Sequence, residues 1–145
     1  MTRPLLGREV AKQIAEHLPE AVVETEEAWV IVHPESLFQV GQFLKVTPDL
    51  EFDYLTSITA VDYLDYLEVV YHLTSIKHNH SLVLKVRCSR EKPQLPSLVG
   101  LWRGADLQER EVYDLLGIRF SGHPNLKRLF LWEGFQGYPL RRDYL

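Results

Sequence analysis

Two runs decide the fold: Leu67-Glu68-Val69-Val70-Tyr71-His72-Leu73-Thr74 and Leu82-Val83-Leu84-Lys85-Val86-Arg87-Cys88. In the first, Leu67, Val69, Tyr71 and Leu73 fall on one side. In the second, Leu82, Leu84, Val86 and Cys88 do, with Lys85 and Arg87 opposite. A period of two with one apolar side is the pattern of a half-buried antiparallel pair. Lys77-His78-Asn79-His80 between the runs reads as a polar hairpin turn, and residues 52–61 supply a preceding strand, joined through a turn at 62–66.

Upstream, residues 8–18 place Val10, Ala11, Ile14, Ala15 and Leu18 on one helical face, and Pro19 ends that helix. Residues 21–24 and 29–32 read as strands around the acidic turn Thr25-Glu26-Glu27. Pro34-Glu35-Ser36 opens a second helix, with Leu37, Val40, Phe43 and Leu44 inward. Downstream, 91–96 reads as a linker and 97–116 as helix-prone, weakened and split near Gly100 and Gly104. After Gly117 the regularity fails: Gly122, Pro124, Gly134, Gly137 and Pro139 punctuate what reads as an extended arm. Its apolar side chains require a surface, on the domain itself or on a partner. The expected fold is α+β, a two-layer domain over residues 1–117 with a mixed, largely antiparallel sheet, an N-terminal helix, a second helix and a C-terminal helix. Residues 118–145 form the arm.

With 145 residues, 46% of them hydrophobic and 25% charged, one ordinary globular domain is expected. No apolar stretch approaches the ~18 residues of a membrane span, and the N-terminus lacks the long apolar core of a secretory signal. One cysteine, Cys88, excludes an internal disulfide and an iron–sulfur cluster held by this chain alone. The net charge of −4 is uneven. From residue 119 onward five basic residues face two acidic ones, a balance of +3 that leaves −7 upstream. A basic, aromatic tail on an acidic body favours a protein partner over nucleic acid.

The densest chemistry lies in Glu109-Arg110-Glu111-Val112-Tyr113-Asp114-Leu115-Leu116-Gly117, followed by His123-Pro124. On a helical wheel of about 100° per residue, Val112, Leu115 and Leu116 cluster, Arg110 and Asp114 fall opposite, and the two glutamates edge the apolar stripe. Two readings follow. In one, both glutamates reach into water while Arg110 and Asp114 form an i,i+4 pair. In the other, Glu109 and Glu111 meet arginines of the tail or of another subunit at a partly desolvated surface. Glu109 and Glu111 diverge by about 200°, so they do not converge as an acid/base pair. Glu111, Asp114 and His123 offer a metal no completing ligand cluster. His78 and His80 read as a solvated hairpin tip, His72 as a sheet-surface residue, Cys88 as core, and His123 as a turn residue bonded to a backbone carbonyl. No phosphate loop, dinucleotide fingerprint or Gly-x-Ser-x-Gly is present. The pattern is that of an interaction module. A hydrolase using Glu109 or Glu111 with His123 would need an enclosed pocket at that helix.

The run from Glu109 to Leu129, with Gly122-His123-Pro124, and the later block Gly134-Phe135-x-Gly137-x-Pro139-Leu140-Arg141-Arg142-Asp143 resemble a known signature. It is that of the 30-kilodalton subunit, lettered C, of respiratory complex I, the proton-pumping NADH:quinone oxidoreductase. Tyr138 stands where the family commonly has His. The resemblance implies a non-catalytic structural subunit of the peripheral arm. Such a subunit is docked on the large hydrogenase-like subunit, lettered D, beside other peripheral-arm subunits, and supports electron transfer to quinone. It implies that this chain holds no cofactor, with iron–sulfur clusters, FMN and quinone in partner subunits. It also implies a peripheral place on the cytoplasmic side of the cell membrane, reached only through the complex. Carried over, Glu109, Arg110, Glu111 and Asp114 are the signature helix, and His123, Lys127 and Arg128 the turn and basic positions after it. Arg141 and Arg142 lie in the arm that wraps the large subunit. All nine are expected at an interface and none in catalysis. An equivalent subunit of a membrane-bound hydrogenase or related dehydrogenase complex is the alternative.

Overall fold

The fold is given by a computed structural model that describes residues 2–128 and 136–142; Phe130, Trp132, Phe135 and Asp143 of the expected arm lie outside them. The elements run β1 (Arg3–Pro4), α1 (Gly7–His17), β2 (Val22–Thr25), β3 (Val30–Val32), a 3₁₀ turn (Pro34–Ser36), α2 (Leu37–Val46), β4 (Tyr54–Asp62), β5 (Leu67–Ser75), β6 (His80–Cys88), β7 (Gln94–Pro96), α3 (Ala105–Leu116) and β8 (Arg119–Ser121). The main sheet has the order β2-β3-β6-β5-β4, with β1 also paired to β6.

The β5–β6 pair is antiparallel, with Tyr71 opposite Leu84 and Val69 opposite Val86, so the two apolar faces coincide. Leu67, Val69, Tyr71, Leu73, Leu82, Leu84 and Val86 all lie in the core. That face is covered by α1, α2 and α3, whose buried residues include Val10, Ile14, Leu37, Val40, Leu44, Val112 and Leu116. The sheet is mixed because β3 and β1 run parallel to β6 while β4, β5 and β6 form an antiparallel meander. The expected α+β class and sheet character therefore stand. Ala15, expected inward on α1, is exposed.

Three local readings change. The hairpin tip is not solvated throughout: His80 begins β6, is buried, and places Nε2 2.8 Å from the Leu50 carbonyl. His78 places its Nε2 2.9 Å from the Glu51 carboxylate. The expected linker at 91–96 contains β7, which pairs in parallel with β8. That second small sheet draws Ile118 and Phe120 into the core, so the domain continues past residue 117. Neither strand announces itself by periodicity, because three residues are too few to show a period of two.

The helix-prone stretch is split as expected. A turn at 98–102 comes first, with the Leu101 and Trp102 amides both bonding the Leu98 carbonyl. Trp102 then donates its indole N–H to the Phe52 carbonyl at 2.9 Å. Helix α3 starts at Ala105 and ends on Gly117, whose φ of +80° is the left-handed helix stop that glycine adopts without steric cost.

Candidate functional site

Helix α3 is buried along two faces rather than one. Its apolar face meets β4, and the segments 126–128 and 136–141 reach the opposite side. This second cover decides what each charged residue does. Asp114, placed by the wheel on the polar side, is fully buried, and its carboxylate meets Arg128 Nε at 3.1 Å. The expected Arg110–Asp114 pair gives way to this one; Arg110 instead donates from Nε to the Lys127 carbonyl at 3.3 Å. Arg128 also donates to the Asp114 carbonyl at 3.2 Å and to the Gly137 carbonyl at 2.6 Å, and lies 4.9 Å from the Tyr138 ring. One guanidinium thus ties the helix to the returning C-terminal stretch.

Glu109 meets no arginine. It is fully buried, accepting from the Ser97 hydroxyl at 2.6 Å and from the Leu98 amide at 2.8 Å. Ser97 Oγ in turn accepts from the Val99 amide. The carboxylate therefore caps the 98–102 turn from across the fold, satisfying donors that would otherwise be buried unpaired. Burial pushes its pKa up to about 6, with the Ser97 and Leu98 bonds and nearby His123 pulling the other way. Glu109 and Asp114 are accordingly framework residues with no surface to offer an interface. Glu111 and Lys127 remain exposed.

His123 behaves as a turn residue. Its Nε2 lies 3.1 Å from the Asp106 carbonyl and 3.0 Å from the Asp106 carboxylate, and its Nδ1 accepts from the Asn125 amide at 2.9 Å. It thereby pins the chain after β8 to the first turn of α3. Cys88 lies in the core with its thiol pushed up to about 11 by burial, with Arg141 pulling the other way, so it stays protonated at neutral pH.

Residues 136–142 fold back on the domain. The Leu140 amide bonds the Leu115 carbonyl at 2.9 Å, and Arg141 donates from Nε to the Leu116 carbonyl at 2.7 Å and from Nη1 to the Arg90 carbonyl at 3.2 Å. The Arg142 amide reaches the Asp62 carboxylate at 2.8 Å, which also binds Arg90 and accepts from the Leu64 amide at 2.8 Å. Asp62 is almost fully buried and is the hub of this latch. The sequence alone gives Asp62 no role beyond a turn, because its partners at 90 and 142 are remote along the chain. Tyr138 packs against Gly117 so tightly that a Cβ there would lie 2.7 Å from the ring. Glycine is therefore required at 117 twice, for its backbone angle and for this contact.

Several clefts lie around this part of the molecule. One, of about 500 Å³, is bounded by the β6–β7 connection, Gly117, Arg119, Tyr138 and Arg141. A smaller groove of about 240 Å³ lies between β4 and α3 beside Glu111 and Leu140, which is the place the hydrolase reading required to be an enclosed pocket. Among the described residues no three His, Cys, Asp or Glu side chains are placed to hold a metal ion, and no helix is long and apolar enough to cross a membrane.

Residues 30–145 match the family described as respiratory-chain NADH dehydrogenase, 30 Kd subunit. The chain belongs to this family. It is 45% identical over 116 residues to the C 2 subunit of NADH-quinone oxidoreductase of Rhizobium meliloti, covering 78% of this chain and 63% of that protein's length. It is 47% identical over 105 residues, 71% of this chain, to the C/D subunit of NADH-quinone oxidoreductase of Phocaeicola vulgatus, of which it spans 20%. Among solved structures, a trypsin-resistant fragment of Nqo5 superposes with a TM-score of 0.68 at 30% identity, covering 82% of this chain and 98% of the fragment. A chain of the membrane-bound sulfane sulfur reductase, an archaeal respiratory membrane complex, superposes with a TM-score of 0.75 at 25% identity, covering 94% of this chain and 84% of its own length. The shared fold of the 30 Kd family thus includes the α+β domain described above.

Proposed function

We propose that this chain is a non-catalytic structural subunit in the peripheral arm of a proton-pumping NADH:quinone oxidoreductase. It docks on the large hydrogenase-like subunit and helps frame the route by which electrons reach quinone. The observation that carries this reading is the fate of the family's charged segment: Glu109, Asp114, His123, Arg128 and Arg141 bond within the chain and rigidify one end of the domain. Their chemistry is architectural. A domain so braced presents a fixed surface, which lowers the ordering cost of association.

The relative named C/D supports the large subunit as the neighbour, since a protein joining the two in one chain keeps them side by side. In this reading the iron–sulfur clusters, FMN and quinone belong to partner subunits. The chain sits on the cytoplasmic side of the membrane and is held there by the complex. The likeness to a chain of an archaeal respiratory membrane complex favours, as the second reading, an equivalent post in a related assembly with a different electron donor.

Affinity purification of the tagged chain from native membranes tests the proposal. A large redox subunit should be recovered with it, and the isolated chain should be colourless and inactive towards NADH. Flavin absorbance in the isolated chain, or NADH oxidation by it, contradicts the reading.

A further inference from the structure

The cleft between the β6–β7 connection and Tyr138 is chemically one-sided. Among the described residues four cations, Arg90, Lys92, Arg119 and Arg141, line it against one carboxylate, Glu91. Two of the four have internal duties: Arg90 binds Asp62, and Arg141 donates to the Leu116 and Arg90 carbonyls. Lys92 and Arg119 differ. Among the described residues neither is within ion-pair distance of a carboxylate, and Arg119 is exposed. The Arg119 guanidinium lies over the Tyr113 ring at 5.7 Å, which steadies it without neutralising it. Lys92 belongs to the β6–β7 connection, which Arg141 and Arg90 fasten to the end of α3.

A second feature adjoins this one. Through its carboxylate, Asp62 brings the 62–66 turn against Arg142, next to Leu140. That turn and its surroundings expose Val61, Tyr63, Leu64 and Leu140. Leu64 is held at φ +73°, a left-handed angle that a branched side chain adopts only when its surroundings impose it. An apolar patch beside a cleft whose Lys92 and Arg119 meet no carboxylate among the described residues has the make-up of a protein interface, with apolar anchors and a charged rim.

We propose that this cleft is a socket for carboxylate side chains on an apolar segment of the neighbouring subunit, gripped by Lys92 and Arg119 and seated against Leu64 and Leu140. The proposal deepens the docking reading and rests on it. Charge complementarity selects the occupant: among the described residues the charge of Lys92 and Arg119 is unanswered and positive, and adding anionic groups lowers its self-repulsion.

Zero-length carbodiimide cross-linking of the intact complex is the direct test, because it joins an amine only to a carboxylate in contact with it. The Lys92 amine should be recovered in an amide with an Asp or Glu of another subunit. Recovery of Lys92 uncoupled, or joined only to its own chain, overturns the socket. In parallel, chains carrying Lys92→Glu with Arg119→Glu, or Lys92→Gln with Arg119→Gln, are compared with the unaltered chain for retention in the complex under graded salt. Neither side chain is buried, so circular dichroism should show unchanged folding. The double Glu chain should be retained about tenfold less, with the Gln pair in between. Equal retention of all three, with the complex still assembling, overturns the socket and leaves the docking reading intact. If the unaltered chain itself brings down no large redox subunit, the docking reading fails, and the socket with it. Protection of Lys92 by inorganic phosphate alone, without any effect of the variants on assembly, reduces the cleft to a small-anion site and likewise overturns the proposal.

Discussion

The β5–β6 hairpin and the α3–C-terminal latch are held together by opposite means. The hairpin's inward face is apolar from Leu67 to Leu73 and from Leu82 to Val86 apart from the Tyr71 hydroxyl, and its stability follows mainly from area removed from water. The latch is held by polar groups in low-solvent surroundings: Asp62 with Arg90 and the Arg142 amide, Asp114 with Arg128, Glu109 with Ser97 and the Leu98 amide. Apolar packing tolerates approximate neighbours, whereas each polar pair requires one specific partner in place. The hairpin therefore makes the domain stable, and the latch makes one end of it a single defined shape.

The largest effect should come from the hairpin. Leu84→Ala removes a fully buried side chain facing Tyr71 across the strand pair and should cost about 3 kcal/mol in urea unfolding, with the whole domain affected. Asp62→Ala should cost somewhat less, about 2–3 kcal/mol, because Arg90 loses a buried partner and two amides lose their acceptor. Its loss should fall on residues 136–142 first, seen as faster proteolysis there than in the hairpin. Equal loosening of both regions would erase the distinction between them.

Glu109 gives the comparison a pH signature. Its folded pKa of about 6 lies above the usual carboxylate value of 4.5, so the folded state holds its proton more tightly than the unfolded chain. Its contribution is therefore most favourable below about 4.5, and stability is lost as pH rises through about 6. Glu109→Gln removes that loss. It should raise stability relative to the unaltered chain by about 1–2 kcal/mol at pH 7 and by little at about pH 4.5. Melting both proteins across this range checks it; a difference independent of pH would show that burial does not govern Glu109.

The smallest stability effect is expected at Arg142, which differs from Arg141 beside it in the tail. Arg142→Glu keeps the backbone bond to Asp62 and should change stability by no more than about 0.5 kcal/mol. Arg141→Glu breaks two donations to carbonyls and should release the tail. Only the first variant reports cleanly on docking, through co-purification with the large subunit.

The two regions also differ in how plainly the sequence shows them. The hairpin is legible because Leu67 to Leu73 and Leu82 to Cys88 repeat every second residue, and the split before α3 because Gly100 and Gly104 interrupt a helical pattern. The family was legible too, since the Glu-Arg-Glu helix, the Gly-His-Pro turn and the Gly–Pro–Arg-Arg block occur in one order. The latch was hidden for a physical reason. A wheel assigns Asp114 to solvent on the assumption that a helix has one covered face, and α3 has two. Asp62 and Arg142 are 80 residues apart, and Glu109 finds its donors in a turn eleven and twelve residues upstream. Periodicity reports how a segment meets a core; it carries no record of which distant polar group will answer a buried charge. Strands β7 and β8 were missed on the same ground, three residues each and stabilised by one another.

Hydrogen exchange at single-residue resolution tests the central claim, that the C-terminal stretch is latched onto the domain through Asp62 and the end of α3. In the unaltered chain the Leu140 and Arg142 amides should be protected well above the rate of an unstructured peptide. In Asp62→Ala, Arg142 should lose that protection and Leu140 most of it, while Tyr71 and Leu84 in the hairpin keep theirs. Exchange of Leu140 and Arg142 at the unstructured rate in the unaltered chain would contradict the account.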